Sequence, residues 1–133
     1  MARILIVDDE PLVRDALKRV LEEDGWSVDI VADAKSALDR LAAQPYTLAI
    51  VDIIMPDMDG VELIRTLRQG FPALRVVAIS GGGNFELSGY SPEAMTTRTY
   101  LAAARSVGAD AVLAKPFDME ELLGTIRPLL APA

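Results

Sequence analysis

The sequence predicts an α/β fold: a doubly wound parallel sheet of five strands with helices on both faces. Two observations predict it. Short runs of apolar, often β-branched residues recur along the chain, each closed by polar or turn-forming residues. Longer stretches with apolar residues at helical spacing separate them, so strand and helix alternate five times. A length of 133 residues with 51% hydrophobic content suits one core. There is no internal repeat and no linker, so residues 1–133 are expected to form a single domain without an effector domain.

The elements follow in order. "RILIVDD" is a short apolar run ending in acids, suited to a buried parallel strand. In "EPLVRDALKRVLEEDG", Leu12, Val13, Ala16, Leu17, Val20 and Leu21 repeat at helical spacing and Gly25 stops the helix. "WSVDIV" alternates as a second strand. "DAKSALDRLAAQP" is helical, with Asp33 as N-cap and Pro45 beyond the end. "TLAIVD" is the third strand, and "DGVELIRTLRQGFP" a helix with Val61, Ile64 and Leu67 on one face. "RVVAIS" is the fourth strand. "GGGNFELSGY" breaks the pattern as a glycine-marked loop. "SPEAMTTRTYLAAARSVG" restores a helix, with Ser91 at the N-cap and Pro92 in its first turn. "DAVLA" is the fifth strand. "DMEELLGTIRPLL" is the last helix, opened by a capping box of Asp118 and Glu121 and kinked or shortened at Pro128.

Composition narrows the chemistry. Cysteine and histidine are both absent. That removes disulfides, thiolate and histidine metal sites, and any triad or dyad built on histidine. A metal here takes oxygen ligands, which favours magnesium, calcium or manganese. The net charge is −7 with Lys and Arg scattered, so direct contact with nucleic acid is not expected. No apolar run approaches the roughly 18 residues of a membrane span. "MARILIVDDE" lacks a cleavage site and reads as a strand, so a cytoplasmic protein with no membrane contact is expected.

In open parallel sheets, ligands bind beyond the carboxyl ends of the strands, near the switch in strand order. The first strand ends in Asp8 and Asp9 with Glu10 next, the third in Asp52, the fourth in Ser80 and the fifth in Lys115. With strand order 2-1-3-4-5, these ends share one rim. Two unit charges about 4 Å apart cost roughly 4 kcal/mol at an effective dielectric of 20. A hard divalent cation relieves that repulsion and leaves room for a phosphoryl group. Metal, Lys115 and Ser80 can stabilise its equatorial oxygens, with Asp52 in line as nucleophile. Each residue also has a plainer reading: Asp8 or Asp9 as a helix cap, Asp52 as a turn former, Ser80 as a strand-end hydroxyl, Lys115 as a surface charge. Their joint position at strand ends is what favours chemistry. In "LAIVDIIMPDMDG", Asp57 and Asp59 fall past the strand, as turn residues.

These segments resemble the receiver domain of two-component response regulators, of the stand-alone type, across essentially the whole chain. "ILIVDDE" resembles the family's acidic pair, "LAIVDIIMPDMDG" its phosphoacceptor segment, "VVAIS" its hydroxyl strand and "VLAKPF" its lysine-proline motif. The resemblance implies a flavodoxin-like fold and a phosphorylation-driven switch, bacterial and cytoplasmic, that catalyses only its own phosphorylation and dephosphorylation. It implies that Asp52 takes a phosphoryl group from a phosphohistidine of a sensor histidine kinase or phosphotransfer protein. Asp9, Asp52 and the backbone carbonyl of Ile54 would hold Mg2+ (or Mn2+) directly, and Asp8 through water. Ser80 and Lys115 would bind the phosphoryl oxygens, Lys115–Pro116 would be cis, and Pro56, Gly60, Gly81 and Pro116 would shape the loops. Output would pass to a downstream protein target, in a switch or a phosphate-carrier role.

Two departures stand out. Val112 occupies the place, three before the lysine, where the family usually has an aromatic residue. The connection after Ser80, extended at about residues 81–92, is roughly a dozen residues longer than usual. Phe85, Tyr90 or Tyr100 could replace the missing aromatic; the plainer reading is a loop whose aromatics pack locally. The triple glycine lacks the Gly-Lys-Ser/Thr of a phosphate loop. Two rivals remain: a receiver-like binding module that is not phosphorylated, and an aspartyl-phosphate phosphatase suggested by "DMDG". The phosphatase needs its first Asp directly at a strand end, whereas Asp57 follows Met55-Pro56.

Overall fold

A computed structural model describes residues 3–55, 58–80, 101–115 and 117–130. In chain order the elements are β1 (Arg3–Val7), α1 (Pro11–Glu23), β2 (Ser27–Val31), α2 (Ala34–Ala43), β3 (Leu48–Asp52), β4 (Ile54–Met55), β5 (Met58–Asp59), α3 (Gly60–Gly70) and β6 (Arg75–Ser80). The helical stretch 101–106, here α4, then leads to β7 (Ala111–Ala114) and α5 (Met119–Leu130). Five strands pair in parallel in the order β2-β1-β3-β6-β7, which is 2-1-3-4-5 for the five strands expected from sequence. The register sets Val7 against both Val31 and Val51, Asp52 against Ile79, and Ser80 against Ala114. The strand ends that carry polar residues are therefore lateral neighbours. The remaining pair, β4 with β5, is a short antiparallel hairpin directly after Asp52.

Alternation along the strands builds the two layers. Leu5, Val7, Ala49, Val51, Val76 and Ala78 point to one face, where they pack with Ala37 and Leu41 of α2, Leu63, Ile64 and Leu67 of α3, and Leu101 and Ala104 of α4. Ile4, Ile6, Leu48, Ile50, Val77 and Ile79 point to the other, against Leu17 and Leu21 of α1 and Leu122, Ile126 and Leu130 of α5. Both faces of the central strands are covered, which is why they read as unbroken apolar runs instead of alternating ones.

The helix ends obey local chemistry. Gly25 takes φ +98° just past α1, and its N–H donates to the Glu22 carbonyl at 3.0 Å. Asp33 caps α2 by accepting from the Ser36 N–H at 2.7 Å. Asp118 and Glu121 form the capping box before α5, at 2.8 and 3.5 Å. Two helices carry detail that spacing leaves open. Leu12 and Ala16 are exposed, Leu12 at 85%. They lie about 140° and 100° around α1 from Leu17, off the stripe that meets the sheet. Helix α5 is not shortened at Pro128 but runs on to Leu130. Leu63, not singled out from the sequence, is buried in α3, while Val61 is half-buried. The caps Ser91 and Pro92 lie outside the described residues.

Candidate functional site

Asp52 ends β3, so the ladder that holds it is complete on the sheet side: it stands opposite Ile79, and the Ile53 N–H beyond it donates to the Ile79 carbonyl at 3.0 Å. Asp8 follows β1 and extends its pairing with β2, its N–H donating to the Val31 carbonyl at 3.1 Å. Its Oδ1 accepts the Glu10 N–H at 2.9 Å, which folds the chain sharply into α1. Pro11 then supplies the first helical position, and Glu10 is the N-cap residue. Lys115 follows β7, with its N–H bonded to the Ser80 carbonyl at 2.8 Å. Backbone pairing alone thus delivers Asp8, Asp52, Ser80 and Lys115 to one end of the sheet.

Burial makes this set costly. Asp8 is 0% exposed, Asp52 3% and Ser80 0%. Carboxylate oxygens of Asp8, Glu10 and Asp52 lie within 4.8 Å of one another. Lys115 Nζ sits among them, 3.2 Å from Glu10 Oε1, 3.4 Å from Asp52 Oδ2 and 3.5 Å from Asp8 Oδ2. Burial pushes the Asp8 carboxyl above the usual aspartate value, against the Glu10 N–H bond and the Lys115 charge. Burial also works against the Lys115 ammonium, but Asp52, Asp8 and Glu10 outweigh it and hold its pKa above the usual lysine value. Three carboxylates against one ammonium leave an excess of negative charge for a hard cation to balance. Among the described residues Asp8 Oδ2 has no partner beyond its ion pair with Lys115, and the buried Ser80 Oγ has no hydrogen-bond partner. The oxygen donors of Asp8 and Asp52 therefore fit a magnesium or manganese ion, with the Glu10 carboxylate beside them.

Not every residue singled out from the sequence joins this group. Asp9 is exposed and lies outside the three-carboxylate cluster. Ile54 is in β4, paired with Asp59 across the hairpin. Gly60 begins α3 against Ile53: a Cβ there would overlap the Ile53 Cα and come within 2.8 Å of its Cβ and O. Val112 is half-buried and packs against the core on the α2, α3 and α4 side. Pro56, Gly81, Pro116, Phe85, Tyr90 and Tyr100 lie outside the described residues. Glu10 had no role assigned from sequence. Its signal was its place, directly after the acidic pair and before a proline that fixes the turn.

Fold and site together define a class: an open parallel α/β domain with a buried carboxylate, an acidic cluster, a hydroxyl and a lysine on its carboxyl rim. The chain belongs to the response regulator receiver domain family, which it matches over residues 4–127. It is 35% identical over 128 residues to the response regulator MprA of Mycolicibacterium vanbaalenii, covering 96% of this chain and 50% of that protein. The chain thus spans half the length of the curated relatives it matches. Among solved structures it resembles a CheY-like receiver domain protein from Methanospirillum hungatei, with TM-score 0.80, 31% identity and coverage of 96% and 92% of the two chains. It also resembles the Thermotoga maritima response regulator TrrA, solved in complex with Mg(2+)-BeF, with TM-score 0.77, 31% identity and coverage of 98% and 100%. The fold is the CheY-like, flavodoxin-like one expected from sequence. No helix among the described residues is long and apolar enough to cross a membrane.

Proposed function

We propose that this receiver domain takes a phosphoryl group onto Asp52 from a phosphohistidine of a sensor histidine kinase or phosphotransfer protein, and signals the change to a downstream protein. The observation that carries this reading is the environment of Asp52: a nearly buried carboxylate whose Oδ2 faces a lysine ammonium at 3.4 Å, beside a second buried carboxylate. In the reaction an Asp52 oxygen attacks phosphorus, an O–P bond forms, the N–P bond breaks and its electron pair returns to the donor imidazole. Lys115 balances the charge on the phosphoryl oxygens, and the Ser80 hydroxyl donates to one of them. Asp8 and Asp52, with Asp9 and the Ile54 carbonyl implied by the family resemblance, would hold Mg2+ or Mn2+. When bound, the ion supplies positive charge to the transferring group. An apolar recess of about 360 Å³ adjoins Lys115 and is lined by Leu12, Val13, Phe117 and Met119 among others. It gives a protein donor an apolar foothold beside the site.

The test is transfer from a histidine-phosphorylated donor protein. Label should move to the chain in magnesium, and chelation should stop it. Lys115→Met should slow transfer at least tenfold, a loss of about 1.4 kcal/mol in the transition state. Label that stays on every histidine donor, while the chain is folded and magnesium is present, would refute the proposal.

A further inference from the structure

Glu10 makes the shortest of the three Lys115 contacts, at 3.2 Å against 3.4 Å for Asp52 and 3.5 Å for Asp8. The two partners differ in freedom. The Lys115 side chain is 13% exposed, whereas that of Glu10 is 59% exposed. The Glu10 backbone is nevertheless fixed, by the Asp8 Oδ1 bond on one side and Pro11 on the other. An exposed carboxylate on a fixed stem thus meets a mostly buried ammonium. That ammonium is the positive charge the structure shows among Asp8, Glu10 and Asp52. A divalent cation entering between Asp8 and Asp52 repels it, and the lysine must then find another anion or return to water.

We propose that Glu10 is a positioning residue: Lys115 is the internal counter-ion of the metal-free site, and an entering divalent cation displaces it from Asp8 and Asp52 onto Glu10. This inference rests on the reading of the carboxylate cluster as a cation site. Glu10 acts through Lys115 and is not itself a metal ligand. It lowers the cost of displacing the lysine and keeps the ammonium beside the place where the phosphoryl group arrives.

A double-mutant cycle on magnesium affinity separates these roles. Mg2+ is titrated calorimetrically into the unphosphorylated chain and into Glu10→Gln, Lys115→Gln and the double variant, at constant ionic strength. Circular dichroism melts of each report folding. Lys115→Gln should tighten binding, because the competing cation is gone. Glu10→Gln should weaken it roughly three- to tenfold, the range a partly exposed charge pair commands. In the Lys115→Gln background the same change should alter affinity by less than about twofold. An equal loss in both backgrounds would make Glu10 a ligand or a simple field charge and overturn the proposal, as would no loss in either. A folded wild type that binds no Mg2+ would remove the cation-site reading itself, and this inference with it.

Discussion

Asp8 shows how much of the site reads out from single residues and how much does not. That it stands at a strand end follows from the apolar run "ILIV" before it. That it is wholly buried, with one oxygen facing Lys115, depends on neighbours from other strands. Asp9 is the converse case: the adjacent residue and also an aspartate, it turns to solvent, because the Asp8–Glu10 bond bends the chain between them. The apolar run before them says nothing of which is buried; the turn decides it. The raised pKa of Asp8 carries a stability consequence. The folded chain binds that proton more tightly than the unfolded chain does. Stability from this group therefore falls as pH rises from the ordinary value of 3.8 through the raised folded one. Above that window the buried carboxylate is a liability to the fold. Asp8→Asn keeps an oxygen for the Glu10 N–H and removes the charge, so it should raise the melting temperature while weakening Mg2+ binding. A variant that melts lower than wild type at pH 7 would count against this account of Asp8.

At the scale of elements, the strands were legible because both faces of the central strands are buried and no polar residue interrupts them. Helix α1 was legible as a helix but not in its orientation. Its apolar residues span a wider arc than the sheet covers, so spacing alone could not say that Leu17 and Leu21 go in while Leu12 and Ala16 stay out. The hairpin β4–β5 escaped sequence reading because each strand has only two residues. Its base is held by the approach of α3 to Ile53, which only a glycine at position 60 permits. Gly60→Ala should cost about 1–3 kcal/mol by overpacking. Since the strained atoms belong to the residue after Asp52, it should also slow phosphorylation. Urea denaturation and the rate of labelling by a small phosphodonor measure the two effects. A variant matching wild type in both would show that the turn gives way freely.

Across the whole molecule, polar ties far from the site join elements that the core alone leaves to pack. Arg68 of α3 donates to the carbonyls of Leu74 and Gly108 and pairs with Asp110, binding the far end of the sheet to the α4–β7 turn. Arg127 of α5 meets Asp24 at the end of α1, where Trp26 also donates. Asp29 on the edge strand accepts from the Tyr46 hydroxyl at 2.6 Å and pairs with Arg3 at 3.3 Å. None of these was legible, since long-range pairing of surface charges has no sequence period. They predict the acid limb of stability. Burial of Asp29 works against its charge, but Tyr46, Arg3 and Arg40 outweigh it and hold the carboxyl below its usual value. Asp24 is lowered by Arg127 and Trp26, and Asp33 by Ser36. Such groups stabilise the fold above the unfolded value of 3.8, and their contribution is lost as pH falls from there through the lower folded values. The melting temperature should therefore drop steeply below about pH 4, and Asp29→Asn should make that drop shallower. An unchanged acid limb in Asp29→Asn would discount the edge-strand cluster. The proposal that everything else leans on is that Asp52 is the phosphoacceptor. The most direct measurement is intact-mass spectrometry of the chain after incubation with acetyl phosphate and Mg2+, beside Asp52→Asn treated alike. Wild type should gain a single phosphoryl group, prevented by chelating the metal before reaction, and Asp52→Asn none. Equal labelling of the two proteins, or no label on a folded wild type in magnesium, would contradict it.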